Sequence, residues 1–304
     1  MTYPAFESII SQFGTHTDQI LAEVSRNHPF TKDSLGVFRA GVVAYRAALK
    51  RLFDDISAQH FKKPSGLLTS ALLTECIDRL ILHAYRFFFN DGQTDYSFAV
   101  AALGGYGRHE LNPYSDVDLL FLSDQPFDDY QIGIITVLLR FLWDMNLDLG
   151  HSTRTIDECI GAAGDDSYLA TSLLEARFLV GSKTVWETFA ARYSGWLAHG
   201  AARQLAMQKV EERIKRLEYY HNTAHIREPN IKECPGTLRD IHTARWLMFL
   251  TRSSKGIGAS FSEHLFSRPE QQVFDDGLDF LLRIRNTLHF IAGKKADVLD
   301  HLSL

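Results

Sequence analysis

The chain has 304 residues, 45% of them hydrophobic and 23% charged, the balance of an ordinary soluble globular protein with room for about two domains. Thirty-two basic residues against 37 acidic ones give a net charge of −5, which argues against a nucleic-acid partner. The opening MTYPAFESII lacks the basic start and apolar core of a signal peptide, and no apolar run approaches the ~20 residues that cross a bilayer, so no membrane partner is expected. Cys76, Cys159 and Cys234 are far apart, form no CxxC and suit a reducing compartment, so a cytoplasmic location is expected.

From about Ala5 to Asp91 the pattern is helical. Leu35, Phe38, Val42, Tyr45 and Leu49 form one apolar stripe, and Leu73, Ile77, Leu80, Ile81 and Ala84 form another. Thr31 or Asp33 would cap the first of these helices. Asn90-Asp91-Gly92 closes the region with turn chemistry. Two strand-like runs follow, Tyr96 to Leu103 and Val117 to Leu122. Ile132 to Met145 then reads as a helix with Ile135, Leu138, Leu139 and Leu142 inside, and Leu147 to Thr155 as a short strand. Downstream the character is almost entirely helical: Tyr168 to Val180, Thr184 to Leu197, Ala201 to Tyr220, Thr237 to Thr251 and about Pro269 to Ala292. The charged run Lys209 to Arg216 reads as a solvated helix face. Between these helices, HNTAHIREPNIKECPG is too polar for a strand and too Pro-rich for a helix, so a loop is expected over His221 to Gly236.

The chemistry concentrates in AALGGYGRHELNPYSDVDLLFL, from Ala101 to Leu122. It is not a phosphate-binding P-loop, because no Lys-Ser or Lys-Thr follows Gly107 where that loop needs one. It is not a dinucleotide fingerprint either: Glu110 stands where the third glycine belongs, and the next element is a strand. What remains is a glycine turn at Gly104-Gly105 that offers backbone N–H groups to a phosphate chain beside a carboxylate pair. Arg108 and Ser115 would contact phosphate oxygens. On a strand, residues two apart face one side, so Asp116 and Asp118 should face one point, and two such carboxylates repel unless a cation joins them. Mg²⁺ is the cation expected. Asp148, flanked by Leu147 and Leu149 in a strand, is the best third carboxylate, since it needs a polar partner there. Asp144 reads as a helix-end residue. His109 and His151 read as packing or hydrogen-bonding groups, and no zinc site is expected of His221 and His225.

The order hydrophobic-Gly-Gly, about ten residues, then Asp-hydrophobic-Asp-hydrophobic resembles the nucleotidyltransferase superfamily typified by DNA polymerase β. GGYGRHELNPYSDVDLLFL resembles, more narrowly, the bacterial protein-PII uridylyltransferase/uridylyl-removing family. FLWDMNLDLGHSTRT resembles the segment that bears that family's third carboxylate, and REPNIKECPGTLRDIHTARWL resembles its second signature. His109, Cys234 and Thr237 depart from the family pattern, none of them at a proposed ligand.

The resemblance implies an α+β fold: a small mixed β-sheet of the polymerase β-like kind with N-terminal helices in residues 1–155, then an all-α helical domain in residues 156–304 that binds substrate or acceptor. It implies an enzyme that transfers UMP from UTP to a tyrosine of the PII nitrogen-signalling protein, with Asp116, Asp118 and Asp148 as catalytic metal ligands. Gly104, Gly105, Arg108 and Ser115 would hold phosphates, and Lys232 and Arg239 would contact nucleotide phosphate or the acceptor. An Arg239–Asp240 ion pair at a helix start is the alternative for that arginine. The family's HD hydrolase and ACT sensing domains are expected to be absent, with uridylyl removal and glutamine sensing lost. Rival expectations are another nucleotide such as ATP, another protein acceptor, or a non-catalytic nucleotide-binding module.

Overall fold

The computed structural model describes residues 6–27, 35–89, 97–223, 225–251 and 267–300. Three long helices come first, α1 (Glu7–Asn27), α2 (Leu35–Lys62) and α3 (Gly66–Phe89). Their predicted stripes are buried: Val42, Tyr45 and Leu49 on α2, and Leu73, Ile77, Leu80, Ile81 and Ala84 on α3. The expected caps Thr31 and Asp33, the turn at Asn90-Asp91-Gly92 and the strand start at Tyr96 lie outside the described residues.

The centre is a mixed sheet of four strands: β1 (Phe98–Ala102), β2 (Val117–Ser123), β3 (Leu149–Thr155) and β4 (Arg177–Gly181). Their order is β3-β2-β1-β4, with β1 antiparallel to β2 and β4, and β2 parallel to β3. A single helical turn, α4 (Gly104–Gly107), follows β1, and α5 (Asp129–Asp144) makes the crossover that the parallel β2–β3 pair requires. A reciprocal capping box between Asp128 and Gln131 starts α5.

The central strands β1 and β2 are buried on both faces because both faces are covered, whereas β3 and β4 at the edges are only partly buried. Val100, Leu119 and Phe121 pack with α2, α3 and α5, while Ala101, Leu120 and Leu122 pack on the opposite side. The second layer consists of α6 (Ile156–Asp165), α7 (Ser167–Leu174), α8 (Lys183–Trp196), α9 (Ala202–Tyr219) and α10 (Leu238–Leu250). A π-type turn at Leu197–Ala201, with Gly200 at φ 110°, separates α8 from α9. The last helix, α11 (Arg268–Ala292), returns to α3. That contact is backbone-close at Gly66, where a Cβ would stand 2.2 Å from the Asp279 carbonyl oxygen. A third small core of Leu67, Ile231, Leu238, Leu278, Leu282 and Leu288 joins α3, α10 and α11.

One element differs from the sequence expectation. Tyr168 to Val180 is not one helix: α7 ends at Leu174 and Arg177–Gly181 forms β4 on the open edge of β1. Helical packing of Ala170 and Leu173 gives way to an extended RFLVG run, whose hydrogen-bond partners come from β1. The sheet therefore takes its fourth strand from beyond residue 155. No described helix is long and apolar enough to cross a membrane.

Candidate active site

β1 leads straight into the site. After Ala102 the Leu103 N–H bonds the Asp118 carbonyl at 3.0 Å, and Gly104 turns the chain at φ 53°, a conformation that glycine adopts without strain. Gly107 ends the turn against two backbone carbonyls, with a Cβ there only 2.4 Å from the Glu175 oxygen. The turn thus has both its conformation and its backing fixed by glycine.

Asp116 precedes β2 and Asp118 lies within it, and both line one cleft of about 230 Å³ together with Gly104, Gly105 and Ser115. Asp118 sits in a slot made by glycines. A Cβ at Gly104 would lie 3.5 Å from its Oδ2, and one at Gly150, its register partner on β3, only 2.1 Å from its Oδ1. Burial, and then the neighbouring negative charge of Asp116, push the Asp118 carboxyl above its ordinary range; Lys232 and Lys295 pull the other way. The Lys295 ammonium stands 3.2 Å from Asp116 Oδ2.

Asp148 falls one residue before β3 rather than inside it, and its carbonyl accepts from Val117 N–H at 2.8 Å. Its charge reaches Asp118, raising that carboxyl further. Among the described residues, however, no three Asp, Glu, His or Cys side chains gather into a preformed metal cage. Asp116 and Asp118 offer the cleft two carboxylates, the kind of donor through which Mg²⁺ binds while completing its shell with water and phosphate. Ser115 Oγ is buried without a hydrogen-bond partner, an orphaned donor beside the acidic pair.

Arg108 lines the cleft with its charge already balanced. Its guanidinium bonds Glu110 at 2.8 Å and Glu175, with only 14% of its side chain exposed. Arg239 pairs with Glu233 at 2.6 Å and leans over the Trp246 ring. The alternative Arg239–Asp240 pair does not form, because Asp240 takes Arg216 and Arg213 from α9 instead. Lys232 lines the cleft too, and burial followed by the Arg285 and Arg239 charges depresses its ammonium. Asn230 shapes this loop by accepting from the Lys232 and Glu233 N–H groups, both at 2.9 Å.

Several residues that sequence reasoning passed over hold the site. Glu110 accepts from Arg108, from His242 at 2.8 Å and from Arg245, while Glu175 accepts from Arg108 and the Trp246 indole N–H. Burial alone would raise the Glu110 carboxyl, but the Arg108 and Arg245 charges and His242 hold it well below its ordinary range. Burial also holds His242 neutral, with the Arg108 charge assisting, at a pKa of about 3. From α11, Arg285 bonds Asn112 Oδ1, Asn286 Oδ1 accepts from Asn112 at 2.6 Å, and the His289 ring bonds the Pro113 carbonyl. The loop that carries Ser115 and Asp116 is therefore clamped from α10 and α11. The sequence signal for this was faint: side chains with polar groups at helical spacing (His242, Arg245, Trp246) that are buried on α10.

Residues 204–302 match the family model described as GlnD PII-uridylyltransferase. The chain is also 38% identical over 258 residues to the bifunctional uridylyltransferase/uridylyl-removing enzyme of Ralstonia nicotianae, covering 84% of this chain and 29% of that one. The chain belongs to the PII-uridylyltransferase family. Enzymes of the same name in Photobacterium profundum and Methylococcus capsulatus are each 38% identical, over 70% and 74% of this chain and 24% and 25% of their own lengths. The chain thus spans less than a third of these curated relatives. The family-model match takes in α10, α11, Lys232, Arg239 and Lys295. The 258-residue match, on a chain of 304, spans the acidic pair wherever it begins.

Proposed function

We propose that the chain is a Mg²⁺-dependent nucleotidyltransferase of the polymerase β-like fold that transfers UMP from UTP to a tyrosine of PII and releases pyrophosphate. The observation that carries this reading is the pairing of Asp116 with Asp118 on one wall of a cleft whose other walls present the Gly104-Gly105 turn and two lysines.

Bound Mg²⁺ would neutralise the phosphate oxygens and lower the cost of charge at the reacting phosphorus. Asp116 and Asp118, which line the cleft, would hold it, and Asp148, whose charge already acts on Asp118, is the third carboxylate of this reading. Ser115 Oγ donates to a phosphate oxygen, which gives the orphaned hydroxyl a partner. Gly104 and Gly105 let the phosphate chain approach the backbone. Lys232 balances charge on the leaving phosphates, and Arg239, held by Glu233 in the cleft lining, would contact nucleotide phosphate or the acceptor. The acceptor phenol oxygen forms a bond to the α-phosphorus as the bond to pyrophosphate breaks. The phenol proton, with an ordinary pKa of ~10, passes to Asp148.

Incubation of the chain with PII and labelled UTP, ATP, CTP or GTP in Mg²⁺ tests the reading. Label from UTP on a PII tyrosine is the expected result. Label from ATP alone would replace the nucleotide. No label on PII from any nucleotide would move the acceptor to another protein or leave a binding module.

A further inference from the structure

Three cleft features have complementary demands. Among the described residues the Lys232 ammonium has no hydrogen-bond or ion-pair partner, and Ser115 Oγ is buried without one. Lys295, by contrast, has a partner that it would have to surrender: Asp116, 3.2 Å away. Both members of that pair are close to half exposed, at 45% and 43%, so water screens their attraction and the contact is readily exchanged.

The segment that carries Lys295 is nonetheless held firmly. Asp297 accepts from Arg285 Nε at 2.7 Å and His289 Nε2 at 2.9 Å, and its backbone carbonyl accepts from Ile231 N–H at 2.7 Å. Arg285 and His289 also hold Asn112 and Pro113, and Asn230 bridges to Val298. Asp297 therefore ties together the strap bearing Lys295, the loop bearing Lys232 and the loop bearing Ser115 and Asp116. An exposed cation on so fixed a base is an unusual use of buried polar contacts unless its position matters.

We propose that Lys295 is a triphosphate-binding residue that neutralises Asp116 in the nucleotide-free protein and transfers to a phosphate oxygen when a divalent cation takes Asp116, with Asp297 as its positioning residue. This deepens the nucleotidyltransferase reading above and rests on it. A triphosphate carries more negative charge than one divalent cation balances, and Lys232 and Lys295 supply the remainder from the same wall. The exchange costs little, because the ammonium trades one exposed anion for another.

The two roles of Lys295 have opposite signs, which gives the test. Mn²⁺ binding without nucleotide and inorganic tripolyphosphate binding in Mg²⁺ are measured by calorimetry on the whole chain. In Lys295→Gln, Mn²⁺ is expected to bind as tightly as in the wild type or tighter, because its competitor is gone. Tripolyphosphate is expected to bind about tenfold more weakly. Lys295→Arg is expected to restore tripolyphosphate binding to within about threefold, since charge and reach are kept. Parallel weakening of both ligands in Lys295→Gln would mean a structural role and overturn the proposal, as would unchanged tripolyphosphate affinity. If the opposite-signed effects occur while no nucleotide labels any acceptor, Lys295 keeps its assignment and the transferase reading falls. If UMP transfer occurs with the same KM for UTP in wild type and Lys295→Gln, the reverse holds.

Discussion

Gly150 and Asp118 are register partners on adjacent parallel strands, and a Cβ at Gly150 would stand 2.1 Å from Asp118 Oδ1. The carboxylate occupies the space that any other residue would need for its side chain. Gly150→Ala is expected to leave a folded protein, with an overpacking cost of about 1–3 kcal/mol. UMP transfer should fall by about 100-fold, because Asp118 would be displaced by the order of an ångström. Steady-state kinetics beside a thermal melt check this, and unchanged kcat/KM would remove Asp118 from the chemistry.

Glu110 is the single carboxylate on which Arg108, His242 and Arg245 converge, and the Arg245 side chain is only 4% exposed. Removing it strands buried positive charge. Glu110→Ala is expected to cost about 3–5 kcal/mol of stability, read from the urea midpoint. A loss within experimental error would show that the clamp between α10 and the glycine turn carries no load.

His242 gives this clamp an acid sensitivity. Its folded pKa of about 3 lies below the ordinary 6.5, so between those values the unfolded chain binds the extra proton. The stability that neutral His242 contributes is fully present above pH 6.5 and is lost as the pH falls through that window. Glu110, also depressed, adds its own loss only below its ordinary value of 4.5. His242→Gln is therefore expected to flatten the decline in unfolding free energy between about pH 6.5 and 4.5. Burial depresses His109 to about 3 as well, with Arg177 assisting, so the decline should shrink without vanishing. An identical slope in variant and wild type would contradict the assignment of His242 as the neutral donor to Glu110.

The parts of this molecule legible in the sequence are those set by local pattern. The stripes of α2 and α3, the strands around Gly104 and Val117, and the α5 helix all follow from apolar spacing within a few residues. β4 was not legible, because RFLVG is strand only when the open edge of β1 lies beside it. The acidic pair and the glycine turn were readable because they are close in sequence, and the structure brings them into one cleft with Lys232 and Arg239. The Glu110 clamp was invisible for the opposite reason: Glu110 and His242 are 132 residues apart. Lys295, 179 residues from Asp116, was hidden in the same way.

Transfer itself decides the central claim. Wild-type chain and Asp118→Asn, an isosteric change that removes one charge, are compared for incorporation of UMP from labelled UTP into PII tyrosine in Mg²⁺. Wild-type labelling that falls by about a thousandfold or more in Asp118→Asn is the expected result, since the proposed Mg²⁺ site would lose the charge of one of its two carboxylates. Equal labelling by the two proteins would contradict the assignment of Asp116 and Asp118 as the reaction centre.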